Sequence, residues 1–304
     1  MTLIQYISNK AIDKNKWDAC IEQSANGLVY AYSWYLDAMS KHWDALVLND
    51  YETVMPLTWN KKYGIYYLYQ PWFCASLGIF SKKEISAKTI EQFLNAIPQK
   101  FKYWDISLNH HNLFAVENFP LKERMNFVLP LNKTYNTIAA SYRTNLKRNI
   151  KKAEAALLEV KKNIPLKEIL SLAKESMQRI VPISDDEVKL FSKVFKKAHQ
   201  YQKAETWGIY LKKELLASAV FLHSHSRWYY ILVGNHPNGK TIGASHYLID
   251  RFIHAHAGEA VVLDFEGSDV RNLAFFYSSY GAKEEKYPAL RINKLPKILK
   301  WLKD

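Results

Sequence analysis

Cysteine is almost absent from the 304 residues: Cys20 and Cys74 stand alone, in neither a C-x-x-C pair nor a metal-type spacing. Their scarcity excludes a disulfide framework and a zinc knuckle and predicts a reducing compartment. Long apolar runs are missing as well. No stretch approaches the roughly 18 residues that a membrane helix needs. The N-terminal MTLIQYISNKAIDKNKW lacks a basic segment followed by a long apolar one, so neither a membrane span nor a secretory leader is expected and the protein reads as cytoplasmic. There is no low-complexity tract and no long Gly/Ser linker, so separate lobes are expected to pack together and not hang on a tether. Acidic side chains are in deficit, 29 against 42 Lys and Arg, for a net charge of +13. Such a surface favours an anionic partner, and phosphate-bearing ligands, RNA and anionic lipid all qualify.

What is present is a full core: 48% of residues are hydrophobic and 14% aromatic, enough for one large or two modest globular domains. The pattern from Ile12 to Gln23 predicts a helix with Trp17, Cys20 and Ile21 on one side, and Ser33 is a candidate cap for a second. WDALVLN (Trp43 to Asn49), ETVMPLTW (Glu52 to Trp59) and GIYYLYQ (Gly64 to Gln70) read as strands joined by hairpin turns. A helix near Ser86 to Ile97 and a strand near Tyr103 to Leu108 follow. The second half repeats this order. Ser184 and Glu187 spell a capping box that opens a helix through Lys197. WGIYLK, LLASAVFLH and RWYYILVG form a three-strand meander, a helix from Ile242 to Ala257 leads to the strand AVVLDFEG, and a helix from Val270 to Tyr280 leads to a last strand around Tyr287 to Ile292. The expected architecture is α+β in two lobes, 1–135 and 136–304, each a mixed, mainly antiparallel sheet flanked by helices.

Between the lobes lies SYRTNLKRNIKKAEAALLEVKK, Ser141 to Lys162. On a helical wheel Tyr142, Leu146, Ile150, Ala153 and Leu157 share a narrow sector, while Arg143, Lys147, Arg148, Lys151 and Lys152 cover the other sides. Only Glu154 and Glu159 offset these cations, so the helix is either an ordinary solvated surface or a seat for something anionic.

Gly234 to Thr241, GNHPNGKT, fits the spelling of a phosphate-binding P-loop, and VVLDFEG at Val261 to Gly267 resembles the strand whose Asp holds magnesium in such proteins. An ATP-dependent phosphotransferase is therefore one reading, against which stand three arguments. The preceding strand belongs to an antiparallel meander, whereas the P-loop needs a parallel sheet with helical crossovers. About 40 residues remain after Asp264, too few to complete such a sheet. Pro237 also removes one of the backbone N–H groups that a phosphate cradle presents. The same residues still deliver a strand end to a helix start, where free N–H groups and the helix dipole attract phosphate and Lys240 adds charge; a plain capped helix is the alternative.

Meander, strand, helix, strand, helix, strand is the element order of the acyl-CoA N-acyltransferase (GNAT) fold. The chain resembles the doubled-GNAT relatives, in particular the Fem family of peptidoglycan-bridge aminoacyltransferases. YRTNLKRNIKKAEAA is similar to that family's Y-x-x-x-x-R-R-x-I-x-K-A helix, LDFEGS at Leu263 to Ser268 to its apolar-D-F/M-x-G segment, and AFFYSSYGA at Ala274 to Ala282 to the GNAT pattern of Tyr, three residues, Gly. The resemblance implies an N-acyltransferase that moves an acyl or aminoacyl group from acyl-CoA (acetyl-CoA) or aminoacyl-tRNA onto an amine acceptor, with a nucleotide-linked cell-wall precursor among the acceptors and no metal. The GNAT pyrophosphate loop, R/Q-x-x-G-x-G/A, corresponds to Lys240, Thr241, Ile242, Gly243, Ala244 and Ser245, which keep one glycine and change both flanks. By resemblance Tyr277 would protonate the leaving group, Asp264 or Glu266 would accept the amine proton, Lys240, Thr241, Gly243, Ala244 and Ser245 would hold the donor's phosphates, and Arg143, Lys147 and Arg148 those of a nucleotide-linked substrate or tRNA. Tyr277 is equally suited to a core beside Phe275 and Phe276, and the two carboxylates to capping the helix at Val270 or pairing with Arg271. Neither cysteine has a nucleophile motif, and the ten histidines, His223, His225, His254 and His256 among them, form no HExxH or triad signature, so direct attack is expected. HSHS, His223 to Ser226, reads as a strand turn, and Trp34, Trp43, Tyr67 and Phe73 as core. A non-catalytic RNA- or nucleotide-binding protein that grips its ligand through the basic helix remains the alternative function.

Overall fold

A computed structural model describes residues 3–178, 182–267 and 269–296. In chain order they form β1 (Ile4–Ile7), α1 (Lys14–Gln23), α2 (Ser33–Met39), β2 (His42–Leu48), β3 (Thr53–Lys62), β4 (Ile65–Tyr69), β5 (Phe80–Ser81), α3 (Ala87–Asn95), β6 (Phe101–Ser107), β7 (Leu121–Pro130), α4 (Tyr135–Ala140), α5 (Thr144–Ala155), β8 (Glu159–Lys162), α6 (Leu166–Met177), α7 (Asp185–Gln200), β9 (Ala204–Leu211), β10 (Glu214–Ser224), β11 (Arg227–Asn235), α8 (Pro237–Thr241), α9 (Ala244–His256), β12 (Val262–Asp264), α10 (Arg271–Ser278) and β13 (Lys283–Asn293). The chain divides into two compact units: residues 3–125 with 286–296, and residues 126–285.

In the first unit the strands run in the order β1-β2-β3-β4-β6-β13, with β5 paired to β3. All pairs are antiparallel except β4 with β6. α3 presents Ile90, Phe93 and Leu94 to a core that includes Leu46, Leu57, Leu68, Phe101 and Trp104. Asp13 caps α1 by accepting from the N–H groups of Asn15 and Lys16, and α1 buries Trp17, Cys20 and Ile21. Ser33 is the first residue of α2 and not its cap. Its N–H and hydroxyl both donate to Asp18 of α1, at 2.7 Å each, so a neighbouring helix supplies the acceptor that an N-cap side chain would otherwise provide.

In the second unit the order is β7-β12-β11-β10-β9-β8, antiparallel except for β11 with β12. His225 and Ser226, both at positive φ, make the two-residue turn between β10 and β11. The capping box forms as spelled: the Ser184 hydroxyl accepts from the N–H of Glu187, whose carboxylate accepts from the N–H of Ser184. Gly234 lets α6 close on β11, since a Cβ there would lie 2.9 Å from both the Ala173 amide nitrogen and Leu172 Cγ.

The basic segment is shorter than its wheel. Tyr142, Leu146, Ile150 and Ala153 are buried, but the helix ends at Ala155 and Leu157 is 84% exposed at φ 54°. Leu157 N–H donates to Glu154 O and Leu158 N–H to Ala153 O, the two bonds of a Schellman stop. The stop turns Leu157 out of the apolar sector and frees Glu159–Lys162 to pair with β9 as β8. The helix expected from Ile242 likewise starts later, at Ala244, because Gly243 breaks the turn at φ 77° and the preceding residues coil separately as α8.

Candidate functional site

In the second unit β11 and β12 part early. Their parallel register holds three pairs, Arg227 with Val262, Trp228 with Leu263 and Tyr229 with Asp264, and β11 then runs on to Asn235 without β12 beside it. Polar groups next to Asp264 draw the departing chain towards β7. Phe265 N–H donates to Phe127 O (3.0 Å), Glu266 N–H to Asp264 Oδ1 (2.8 Å) and Gly267 N–H to Asn126 Oδ1 (2.6 Å). In open α/β sheets ligands bind beyond the carboxyl ends of parallel strands, and β11 and β12 are the parallel pair of this unit.

Two helices border this end of the pair. At the end of β11, Asn235 Oδ1 accepts from the Ser245 hydroxyl, which ties the strand to the first turn of α9. The N–H groups of residues 244–246 have no acceptor within the helix; the first intrahelical bond is Tyr247 N–H to Gly243 O, 2.9 Å. Ala244 is fully buried, and Gly243 sits against α5, where a Cβ would lie 2.5 Å from the carbonyl oxygen of Asn149. On the other side is α10. Phe276 meets the His246 ring edge-on at 4.8 Å, and the Tyr280 hydroxyl donates to His246 O (3.2 Å). Tyr277 stacks on Phe265 at 4.7 Å, and Phe265 in turn meets Tyr230.

Tyr277 is 8% exposed, and its hydroxyl makes no hydrogen bond among the described residues. Burial first, then the charges of Glu266 and Asp264, push its pKa above the usual phenol range, so it stays protonated at neutral pH. Asp264 is pinned. Oδ2 accepts from Arg227 (2.6 Å), Oδ1 accepts from Asn126 (2.9 Å) and from Glu266 N–H, and Arg227 forks onto Glu285 at 2.9 Å through both terminal nitrogens. Burial opposes the charge on Arg227, but Asp264 and Glu285 outweigh it and hold the guanidinium protonated. Asp264 thus neither caps the helix at Val270 nor bonds Arg271; its partner is a residue 37 positions earlier. Glu266, half-buried at φ 66°, places a second negative charge near enough to Tyr277 to raise its pKa.

The basic side chains are distributed unevenly. The Arg143 guanidinium lies over the Phe275 ring at 4.8 Å, and the Arg143 backbone N–H donates to Ser279 O (3.0 Å), so the start of α5 is anchored on α10. Lys147 and Arg148 are exposed on α5. Lys240 and Thr241 are not brought to the α9 amides. They form the last turn of α8, exposed, with the Thr241 hydroxyl donating to Asn238 O. The P-loop spelling likewise makes no cradle, because its residues coil as a helix with Pro237 at the first position and β11 joins an antiparallel meander. Ser268 lies outside the described residues.

Residues that the sequence did not single out complete the site. Arg227, Asn126 and Glu285 fix the strand end; the one available signal was a lone arginine heading the apolar strand RWYYILVG. His246 carried no motif. It is half-buried in the first turn of α9, and burial lowers its pKa to about 4, so the ring is neutral at pH 7. Among the described residues, no group of three His, Cys, Asp or Glu side chains is arranged to hold a metal ion, and no helix is long and apolar enough to cross a membrane.

The matching position in the first unit is closed by its own chain. Beyond β4, Gln70 Oε1 accepts from Ser107 N–H (3.1 Å), Leu77 N–H donates to Ser107 O (2.9 Å) and Asn109 N–H donates to Leu77 O (2.8 Å).

No protein-family model matches the sequence, and no curated protein matches it. Solved structures do. A structure of FemX shares the fold at a TM-score of 0.65 and 13% identity, over 98% of this chain and 99% of that one. L-PGS from Bacillus licheniformis follows at 0.59 and 12%, over 95% of each chain. A tandem GNAT protein from the clavulanic acid biosynthesis pathway matches at 0.54 and 9%, over 97% of this chain and 100% of that one. The chain therefore has the doubled GNAT fold of Fem type, α+β with mainly antiparallel sheets.

Proposed function

We propose, on the premise of the doubled GNAT fold, that this protein is an N-acyltransferase whose second unit, residues 126–285, performs the transfer. The donor is an acyl-CoA such as acetyl-CoA, or an aminoacyl-tRNA, and the acceptor is an amine. The observation that carries this reading is the early parting of β11 from β12 beside the unpaired N–H groups that start α9. The donor's phosphates would sit at residues 243–245, where the dipole and free amides favour an anion, with the α5 cations Arg143, Lys147 and Arg148 and, from the separate turn of α8, Lys240 adding positive potential at longer range. Thr241, uncharged and bonded to Asn238 O, has no part in it.

Each residue then has a defined task. A neutral acceptor amine attacks the donor carbonyl carbon. The C–N bond forms, and the oxyanion is received by N–H groups of β11 that lack a β12 partner beyond Tyr229. Collapse breaks the C–S bond of a thioester or the C–O bond of an aminoacyl ester, and the leaving thiolate or ribose oxyanion takes the Tyr277 proton. The ammonium proton passes to Glu266 directly or through water, and Tyr277 is reprotonated from solvent. Asp264, occupied by Arg227, holds the strand end in place in this scheme and does not serve as the base.

Thermal shift and product analysis with acetyl-CoA, charged tRNA and UDP-linked peptide precursors test the proposal. A ligand at 100 times its Kd stabilises by about 2.7 kcal/mol, and turnover should fall at least a hundredfold in Tyr277→Phe. No shift and no product with any of these donors would overturn it. Steeply salt-dependent RNA binding indifferent to Tyr277 would favour the non-catalytic reading.

A further inference from the structure

The first unit carries a pocket that the transfer chemistry does not use. β1 covers β2 only from Ala45 to Leu48, so residues 42–44 form an uncovered strand edge. The chain leaves β1 through a single turn at Asn9–Ala11, and α2 ends at Met39 before Ser40 and Lys41 lead into β2. These three segments surround a space of about 390 Å³, whose walls include Asn9, Lys10, Asp37, Lys41, Asp44 and Trp59. That is room for a small molecule. On one wall His42 stacks on Trp59 at 4.4 Å.

The acceptors of this pocket are taken and its donors are not. Asp44 Oδ1 accepts from the backbone N–H of Asn9 (2.9 Å) and Oδ2 from the Tyr6 hydroxyl. Asp37 Oδ1 accepts from Trp43 Nε1 (3.0 Å) and Oδ2 from Lys14 (2.6 Å). The Asn9 side-chain nitrogen and the Trp59 indole nitrogen, by contrast, are shielded from water and have no acceptor among the described residues. Lys10 and Lys41 are exposed, and among the described residues neither forms an ion pair. An unpaired N–H costs free energy that only an acceptor recovers, so every unmet demand here is for an acceptor or a negative charge. Two ammonium groups call for two charges. A phosphate monoester carries nearly two at neutral pH and offers only acceptor oxygens, whereas a carboxylate carries one.

We propose that this pocket binds the phosphate group of a small organic phosphate, with Lys10 and Lys41 neutralising the dianion and Asn9 and Trp59 donating to its oxygens. The proposal does not rest on the transferase reading, because all of these residues belong to the first unit and the transfer is assigned to the second.

Chemical-shift titration of the isotope-labelled full chain with inorganic phosphate, against chloride at matched ionic strength, tests it. The backbone amides of residues 9–10 and 41–42 and the Trp59 indole should shift saturably with phosphate, with a Kd in the millimolar range, and not with chloride. Lys10→Gln and Lys41→Gln should each weaken that binding about tenfold and leave the melting temperature in place, since both side chains already face solvent. Acetate, with a single charge, should bind about tenfold more weakly than phosphate. Phosphate held at the start of α9 would instead shift residues 244–246, so the two sites are read apart. No saturable shift at the pocket residues, or equal shifts with chloride, would overturn the proposal. Binding unaltered in both lysine variants would also overturn it, and acetate binding as tightly as phosphate would overturn the assignment to a phosphate.

Discussion

Replacing Gly243 by alanine separates two effects at the candidate donor site. The residue sits at φ 77°, where a Cβ costs roughly 1 kcal/mol. That Cβ would also lie 2.5 Å from Asn149 O and 3.1 Å from both Asn149 C and Asn149 Cβ, mostly backbone of α5 that cannot rotate away. Forcing such a contact adds about 1–3 kcal/mol, so Gly243→Ala should destabilise by about 3 kcal/mol in total. At ~2–4 °C per kcal/mol, the melting temperature should fall by roughly 6–12 °C. Gly258 supplies the control. It has φ 93° and nothing within 4 Å of a Cβ, so Gly258→Ala should lose only the conformational part, about 1 kcal/mol. Urea unfolding of both variants measures the difference directly, and donor affinity should fall only in Gly243→Ala, whose helix start is pushed off α5. Equal losses in the two variants would refute the claim that α9 is seated by close backbone contact.

Arg227→Met leaves buried Asp264 and half-buried Glu285 without this cation and should destabilise by about 3 kcal/mol in urea unfolding at pH 7; a loss below about 1 kcal/mol would show that the network carries little. Leu157→Gly should stabilise by roughly 0.5–1 kcal/mol, because it relieves a left-handed leucine that packs on little; an unchanged urea midpoint would argue against the Schellman stop. The histidines should leave opposite signs in the pH dependence of stability. Burial lowers the pKa of His246 to about 4, so the unfolded chain binds its proton first and stability falls as pH drops from about 6.5 towards 4. His246→Gln should flatten that limb. Burial also disfavours the charged form of His256, but Glu205 and Glu259 outweigh it and raise its pKa. Its contribution is therefore fully present below about pH 6.5 and lost as pH rises through the raised value, a loss that His256→Gln should remove from the alkaline side of the profile.

Local chemistry made much of this legible. The strands of both meanders, the capping box at Ser184 and the turn at His225 depend on neighbours a few residues away, and they stand where their patterns put them. The start of α9 meets α10, through His246 on Phe276, because element order carries β11, α9, β12 and α10 to one end of a sheet. What escaped depends on long-range pairing or on residues working against their preference. Asn126 reaches Asp264 across 138 positions, and no local pattern encodes that register. Leucine at 157 adopts a conformation that favours glycine, so the wheel ran on through a helix end. Lys240 and Thr241 matched a motif by spelling, while Pro237, well suited to a first helical position, coiled them into a separate turn.

Amide hydrogen exchange, followed residue by residue with and without saturating acetyl-CoA or aminoacyl-tRNA, tests the central claim most directly. The backbone N–H groups of residues 244–246, which lack helical acceptors, should exchange markedly more slowly when one of these donors is bound. Protection confined to residues 3–125, or no protection at all with either donor at saturation, would contradict a donor site at the start of α9.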